Sequence, residues 1–343
     1  MNSKGSSSNV ELVMFKCCNA LPCGVFRRAA LLKIRPFQKG LDEEIYVRIF
    51  NTAFLDYDDI RSVTLQEVRT LEDAPSYNLA GLLIAEWNGQ TAGMVQAFVD
   101  KFREEKKGFI QSLAVLPEFR HKGISKRLVS EAISSLKKRG MKVVIAWAQA
   151  DRLACVHIYE SSGFKCVRAS SLMKGSLTEI PEIEVNKAIS LREAQLGDYQ
   201  DIALINKLDN EAFKQHFNYR PVTIEETMYM LLEMPWWKHQ KAWFADFDKH
   251  PVGYVIAGID VGLNKEKSVK YGWILDIGVL KPHRLRGIGS TLMLQAMRYL
   301  RSQGMDNALL YVDDQNPTCA IKLYEKVGFK VYHKSAVYEL QLV

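Results

Sequence analysis

The chain has 343 residues, enough for two domains of about 150 residues each. Its 48% apolar, 25% charged and 10% aromatic content, with 21 Gly and 10 Pro, is ordinary globular usage and excludes disordered, collagen-like and low-complexity classes. The 46 Lys and Arg against 39 Asp and Glu leave a formal charge of +7, spread without a run of five cations, which biases the surface mildly toward anions.

No zinc-finger spacing, basic region with heptads or aromatic RNP pattern accompanies that charge, so no nucleic-acid partner is expected. The six cysteines, Cys17, Cys18, Cys23, Cys155, Cys166 and Cys319, form neither a disulfide framework nor paired zinc knuckles. No metal site is expected, and a reducing cytoplasm is the simplest compartment. No apolar run approaches the roughly 18 residues of a membrane span. Residues 10–26 are interrupted by Lys16 and lack the basic leader and cleavage site of a signal peptide. A monomer or homodimer is expected.

In chain order, residues 1–29 begin with Ser and Gly and read as a flexible tail. A first domain spans 30–172, opening with a short strand at 31–35. Residues 173–182, with Gly, Ser, Thr and Pro and little periodicity, read as a linker, and a second domain spans 183–343. Each domain reads as strand, two helices, three strands, helix, strand, helix and closing strands. In the second, the strand is 188–192, the helices are 198–213 and 224–233, and the antiparallel strands are 243–247, 252–259 and 270–279. A turn bounded by Pro282 and Gly287 follows. Ile288, Leu292, Ala296 and Leu300 then recur every fourth residue, giving a helix with one apolar stripe that Gly304 ends. A strand at 308–312 and a helix capped by Asn316 and ending at Gly328 complete the pattern. The fold class is α+β with three layers, a mixed and mostly antiparallel sheet flanked by helices.

The two domains are copies of one unit. Arg120, Gly123, Ile124, Leu128, Ala132 and Leu136 recur in step as Arg284, Gly287, Ile288, Leu292, Ala296 and Leu300. Tyr159-Glu160 and Gly163-Phe164-Lys165 recur as Tyr324-Glu325 and Gly328-Phe329-Lys330. Upstream, Asn51, Ala53-Phe54, Arg61 and Val63-Thr64 recur as Asn210, Ala212-Phe213, Arg220 and Val222-Thr223, a repetition that reads as structural.

The turn between strand and helix carries the chemistry. A strand ending in Val279, then Arg284, Arg286, Gly287 and Gly289, then a helix from Ile288 and Ser290, aims unpaired main-chain N–H groups and a partial positive charge at one point. Glycines there clear side-chain bulk from an approaching diphosphate, and the arginines offer charge-assisted contacts. No Gly-Lys-Ser/Thr follows, so it is no Walker loop, and the glycine spacing is not that of the dinucleotide fingerprint.

Arg284-Leu285-Arg286-Gly287-Ile288-Gly289, joined to the segment from Asn316 through Tyr324 to Gly328-Phe329, resembles the acetyl-CoA signatures of the GNAT N-acetyltransferase superfamily. The tandem arrangement is also similar to two-domain members of the mycothiol synthase type. The resemblance implies acetyl-CoA as co-substrate, bound by the second copy with binding by the first left open, and direct attack of an amine on its thioester. It implies CoA contacts from Ile277, Val279, Arg284, Arg286, Gly287, Ile288, Gly289, Ser290 and Asn316, and in the first copy from Val115, Arg120, Lys122, Gly123 and Ser125.

It also gives Tyr324 the role of general acid, with Tyr159 as its counterpart, although a packed core tyrosine is the bland reading of each. The family's strand-four glutamate is Trp273 here and Phe109 in the first copy, neither of which accepts a proton. Asp276 is the nearest carboxylate on that strand and the candidate general base, with a carboxylate that merely bridges within the sheet as the other reading; Ser112 stands in its place in the first copy. In that copy Ser125 replaces Gly289 and Asp151 replaces Asn316, so catalysis is expected in the second. His216 and Tyr219, in the loop between the first two helices, are the candidate acceptor contacts. The competing function is a CoA-binding regulatory module without turnover.

Overall fold

A computed structural model describes residues 31–342 except 185, 238 and 319; the tail expected at 1–29 lies outside the described residues. The first copy runs β1 (Leu32–Pro36), α1 (Glu43–Ala53), α2 (Leu65–Glu72), β2 (Leu82–Trp87), β3 (Gln90–Val99), β4 (Lys107–Val115), α3 (Ile124–Lys138), β5 (Val143–Gln149), α4 (Leu153–Ser161) and β6 (Lys165–Ser176). The second runs β7 (Ile189–Glu193), α5 (Tyr199–Phe213), α6 (Ile224–Met228), β8 (His239–Phe247), β9 (His250–Ile259), α7 (Val261–Lys267), β10 (Tyr271–Val279), α8 (Ile288–Ser302), β11 (Asn307–Asp313), α9 (Ala320–Lys326) and β12 (Phe329–Gln341).

The predicted stripes exist. Ile124, Leu128, Ala132 and Leu136 of α3, and Ile288, Leu292, Ala296 and Leu300 of α8, are buried against the sheet. Each pins the start of its helix, and therefore the preceding turn, to a fixed place beside the strand ends.

All described strands belong to one sheet in the order β1-β2-β3-β4-β5-β12-β6-β11-β10-β9-β8-β7. The two copies exchange their last strands. β12, from the second copy, pairs antiparallel with β5 of the first, from Ser335 opposite Gln149 to Gln341 opposite Val143. β6, from the first copy, pairs with β11 of the second, and β6 and β12 pair with each other at the centre.

Several expectations need correction. Each copy closes with one long strand, not several. The linker does not begin at 173, because β6 continues to Ser176 and Leu177 is buried. The helix expected over 224–233 is α-helical only to Met228; a wider π turn from Tyr229 to Glu233 follows, ahead of Pro235. Helix α7 was not foreseen, since Leu263 is its only buried residue and it has no apolar stripe; Asp260 caps it by accepting the Leu263 N–H at 3.0 Å. Asn316 stands ahead of the last helix rather than on its first turn. Its Oδ1 accepts from the Thr318 N–H at 2.8 Å and the Thr318 hydroxyl at 2.7 Å, and α9 begins at Ala320.

The repeated segments are structural. Asn51 brackets the Val63 backbone with two hydrogen bonds, and Asn210 does the same for Val222. Arg61 pairs with Glu67 of its own copy and Asp260 of the other, while Arg220 pairs with Glu226 of its own and Asp100 of the other. The junction is therefore built twice, once from each side.

Candidate active site

Parallel pairing of β10 with β11 ends early, at Trp273 opposite Leu309. Beyond it, β10 carries an irregularity between Ile274 and Asp276 where its register with β9 slips. The two strands splay, and alternate backbone groups on one edge of β10 lose their ladder partners. A cavity of about 450 Å³ fills the gap, walled by 274–279 and 310–313, with Ala212, Phe213 and His216 from the end of α5, Gly289 and Ser290 from α8, and Leu323 and Tyr324 from α9.

The turn leading into α8 adopts left-handed backbone at Leu285 (φ 62°) and Gly287 (φ 88°). No side chain caps the first N–H groups of α8, which leaves donors for an anion. Gly287 is required by its conformation: a Cβ there would meet nothing closer than Asn186 Cβ at 4.0 Å. A Cβ at Gly289 would stand 2.9 Å from Leu323 Cδ2, so a side chain there would displace the end of that leucine on α9.

Of the two arginines, Arg284 lines the cavity and Arg286 does not. Arg284 Nε donates to the Val279 carbonyl at 2.9 Å and its Nη2 to the Ala212 carbonyl at 2.8 Å. It fastens the end of β10 to the end of α5. Arg286 is exposed, lies over the Phe247 ring at 5.2 Å, and does not line the cavity. Ile277, Val279, Ser290 and Asn316 do line it, whereas Ile288 is a core residue that contributes only its backbone position. Lys322 and Lys326, one helical turn apart on α9, sit exposed at the rim and were missed.

Asp276 and Tyr324 meet in this cavity. Burial, then the Asp276 charge, holds the Tyr324 phenol well above its usual range, so it keeps its proton at neutral pH. Burial, then the neighbouring Asp209, pushes the Asp276 carboxyl up to about 8. The Tyr254 hydroxyl sits between these carboxyls, 2.8 Å from Asp209 Oδ1 and 2.5 Å from Asp276 Oδ2. Sequence reading missed Asp209 and Tyr254. The signal was the contrast between copies, for Phe50 precedes Asn51 as Asp209 precedes Asn210, and Met94 holds the register place of Tyr254.

His216 lines the cavity, edge-on to Phe213 at 4.4 Å; burial, then the Arg284 charge, lowers its pKa and favours the neutral ring. Tyr219 does not line it. Its hydroxyl donates to Asn210 Oδ1 at 3.2 Å and its carbonyl accepts from Arg103 Nη1 at 3.4 Å, because Arg103 and Lys107 of the first copy anchor this loop at the junction.

The first copy repeats the splay, with β4 and β5 paired only as far as Ile110 opposite Ala146, but its cavity is smaller at about 300 Å³. None of Val115, Arg120, Lys122, Gly123 or Ser125 lines it. Arg120 Nε donates to the Val115 carbonyl at 3.3 Å, and Lys122 Nζ to the Glu118 carbonyl at 2.6 Å. Arg152 pairs with Asp56 and stacks 4.1 Å from the Tyr57 ring centre, strapping the loop after α1 to the start of α4. Tyr159 is buried in the place of Tyr324, against Cys155, and Ser112 bonds to Tyr46 where Asp276 stands in the other copy.

The sequence profile of the acetyltransferase (GNAT) family matches residues 43–164 and again 205–329. The mycothiol acetyltransferase of Thermobispora bispora is 29% identical over 238 residues, covering 66% of this chain and 74% of that one. The mycothiol acetyltransferase of Nocardia farcinica is 27% identical over 286 residues, covering 82% and 88%. Among solved structures, a tandem GNAT protein from the clavulanic acid biosynthesis pathway superposes with a TM-score of 0.70 at 15% identity, over 90% of this chain and 98% of that one. A GCN5-related N-acetyltransferase from Sphaerobacter thermophilus gives 0.65 at 20% identity, over 90% and 95%. Those likenesses show the same fold. With the family profile matched in both copies and a splayed-strand cleft in each, the chain belongs to the acetyltransferase (GNAT) family and is an acyl-CoA-dependent N-acetyltransferase.

Proposed function

We propose that the second copy transfers an acetyl group from acetyl-CoA to a primary amine of a small molecule or peptide, by direct attack of the amine on the thioester. The observation that carries this reading is that one cavity joins an uncapped helix start, an unpaired strand edge, a carboxylate and a protonated tyrosine. The acetyl group as cargo is supported by relatives named for acetyl transfer.

Bound in the cleft, acetyl-CoA supplies an activated acyl carbon. The amides at the start of α8 hold its diphosphate, and the free edge of β10 near 277–279 orients the arm and polarises the thioester carbonyl. Asp276 accepts the proton that the amine nitrogen loses as the C–N bond forms. Tyr324 gives its proton to the departing sulfur as the C–S bond breaks, and solvent returns the proton balance from Asp276 to Tyr324. His216 flanks the acceptor. The first copy, which keeps Tyr159 but has Ser112 in place of the base Asp276, does not turn over. We place the reaction in the cytoplasm; among the described residues no helix is long and apolar enough to cross a membrane.

The test is release of free thiol from acetyl-CoA with a panel of primary amines, followed by mass spectrometry of the products. Acetylated amine lost in Tyr324→Phe supports the reading. Tight CoA binding with no thiol release from any amine overturns it in favour of a regulatory module.

A further inference from the structure

We propose that Asp209 and Asp276 share a single proton through the Tyr254 hydroxyl at neutral pH, so that the base of the second copy is a carboxyl pair in which Asp209 is the positioning residue. This deepens the reading of Asp276 as base and rests on it.

The argument is a hydrogen count. Tyr254 is fully buried, and its oxygen lies 2.8 Å from Asp209 Oδ1 and 2.5 Å from Asp276 Oδ2. A phenol has one hydrogen and can donate to one of them. Were both carboxylates ionised, the other contact would set lone pairs against lone pairs at hydrogen-bond distance. One carboxyl must therefore carry a proton; donated to the phenol oxygen it gives a chain of the form COOH, OH, COO⁻, and the direct contact between the two carboxyls calls for the same proton count.

The surroundings favour the extra proton. Among the described residues, neither Asp209 nor Asp276 takes part in a salt bridge. The facing titratable groups are Tyr254 from β9, Tyr219 from the loop after α5 and Tyr324 from α9, all neutral at pH 7, and Arg284 at the rim is turned onto backbone carbonyls. Burial raises the pKa of both carboxyls, and the neighbouring Asp209 adds to the cost of ionising Asp276. Asp276 is the member that lines the cleft, so the pair exchanges its proton with the cleft through it.

The consequence for turnover is a base poised near neutrality. Once the shared proton has left, Asp276 takes the amine's proton, and the pair returns one proton to solvent through the cleft. In the first copy the same three places are Phe50, Met94 and Ser112, so no such pair exists there.

Two measurements test this. Infrared titration of the unliganded protein is expected to show the carbonyl band of one protonated carboxyl at pH 7, absent from both Asp209→Asn and Asp276→Asn. A wild-type protein without that band overturns the proposal. Second, the acid limb of the kcat/KM profile should move at least about one pH unit lower in Asp209→Asn, because removing a like charge eases ionisation of Asp276. A folded Asp209→Asn, verified by its thermal melt, with an unmoved limb also overturns it, since a merely structural role would lower the rate without shifting the limb. The infrared band does not depend on turnover: its presence without amine acetylation would sink the proposed function and leave the shared proton standing.

Discussion

Arg220 of the second copy donates through Nε to the Asp100 carboxylate of the first. Its other nitrogens hold Glu226 and the Pro221 carbonyl. Asp100 is 8% exposed and keeps only the Phe102 N–H at 3.0 Å once the guanidinium is removed, an enclosed carboxylate without its counter-charge. Arg220→Ala should lower stability by about 3 kcal/mol in chemical denaturation. Arg61→Ala, which strips Asp260 in the same way, should cost a similar amount.

Gly287 sits at φ 88°, where any side chain is strained, and every amide of the anion turn depends on that bend. Gly287→Ala should cost about 1 kcal/mol or somewhat more in stability. It should also weaken CoA affinity about tenfold by titration calorimetry, the loss that 1.4 kcal/mol of distorted contact implies.

Tyr324→Phe keeps the ring in the core and removes only the transferable proton. It should lower kcat by about two to four orders of magnitude while CoA affinity stays within error. An unchanged kcat would assign Tyr324 to packing alone.

Asp276 titrates near 3.8 when unfolded and is pushed up to about 8 in the folded chain. Between those values the native state binds more protons than the unfolded state. The stability this proton contributes is full below about pH 4 and is lost as pH rises to about 8. Thermal melts across that window should show the wild type losing stability relative to Asp276→Asn, with the gap widening toward alkaline pH.

The exchanged strands predict how the chain tolerates cutting. Residues 31–181 alone leave β5 without β12 and β6 without both neighbours, exposing long unpaired edges. Each half expressed alone should aggregate. Co-expression of 31–181 with 182–343 should yield a one-to-one complex by size exclusion.

Element order was legible because periodicity is local: the stripes of α3 and α8, and the turn ahead of each, follow from spacing alone. The strand exchange was not legible, because β6 and β12 carry no residue pattern that prefers one neighbour over another, and pairing is decided by where the chain returns in space. Asp276 and Tyr324 were put forward through position in the motif, and both line the cleft. Asp209 was not, for a carboxylate flanked by Leu208 and Asn210 on a helix reads as solvent-facing until β9 brings Tyr254 over it. Tyr219 was misplaced because an aromatic in that loop suits a ligand as well as it suits a junction, and only Arg103 and Lys107, more than a hundred residues earlier, decide between them.

Two separate single-unit polypeptides that traded their terminal ribbons would produce this same continuous sheet. Joining them in one gene fixes the stoichiometry and makes the halves inseparable in solution. One half can then carry Ser112 where the other has Asp276 and strap its cleft with Arg152, while its last two strands still complete the shared sheet.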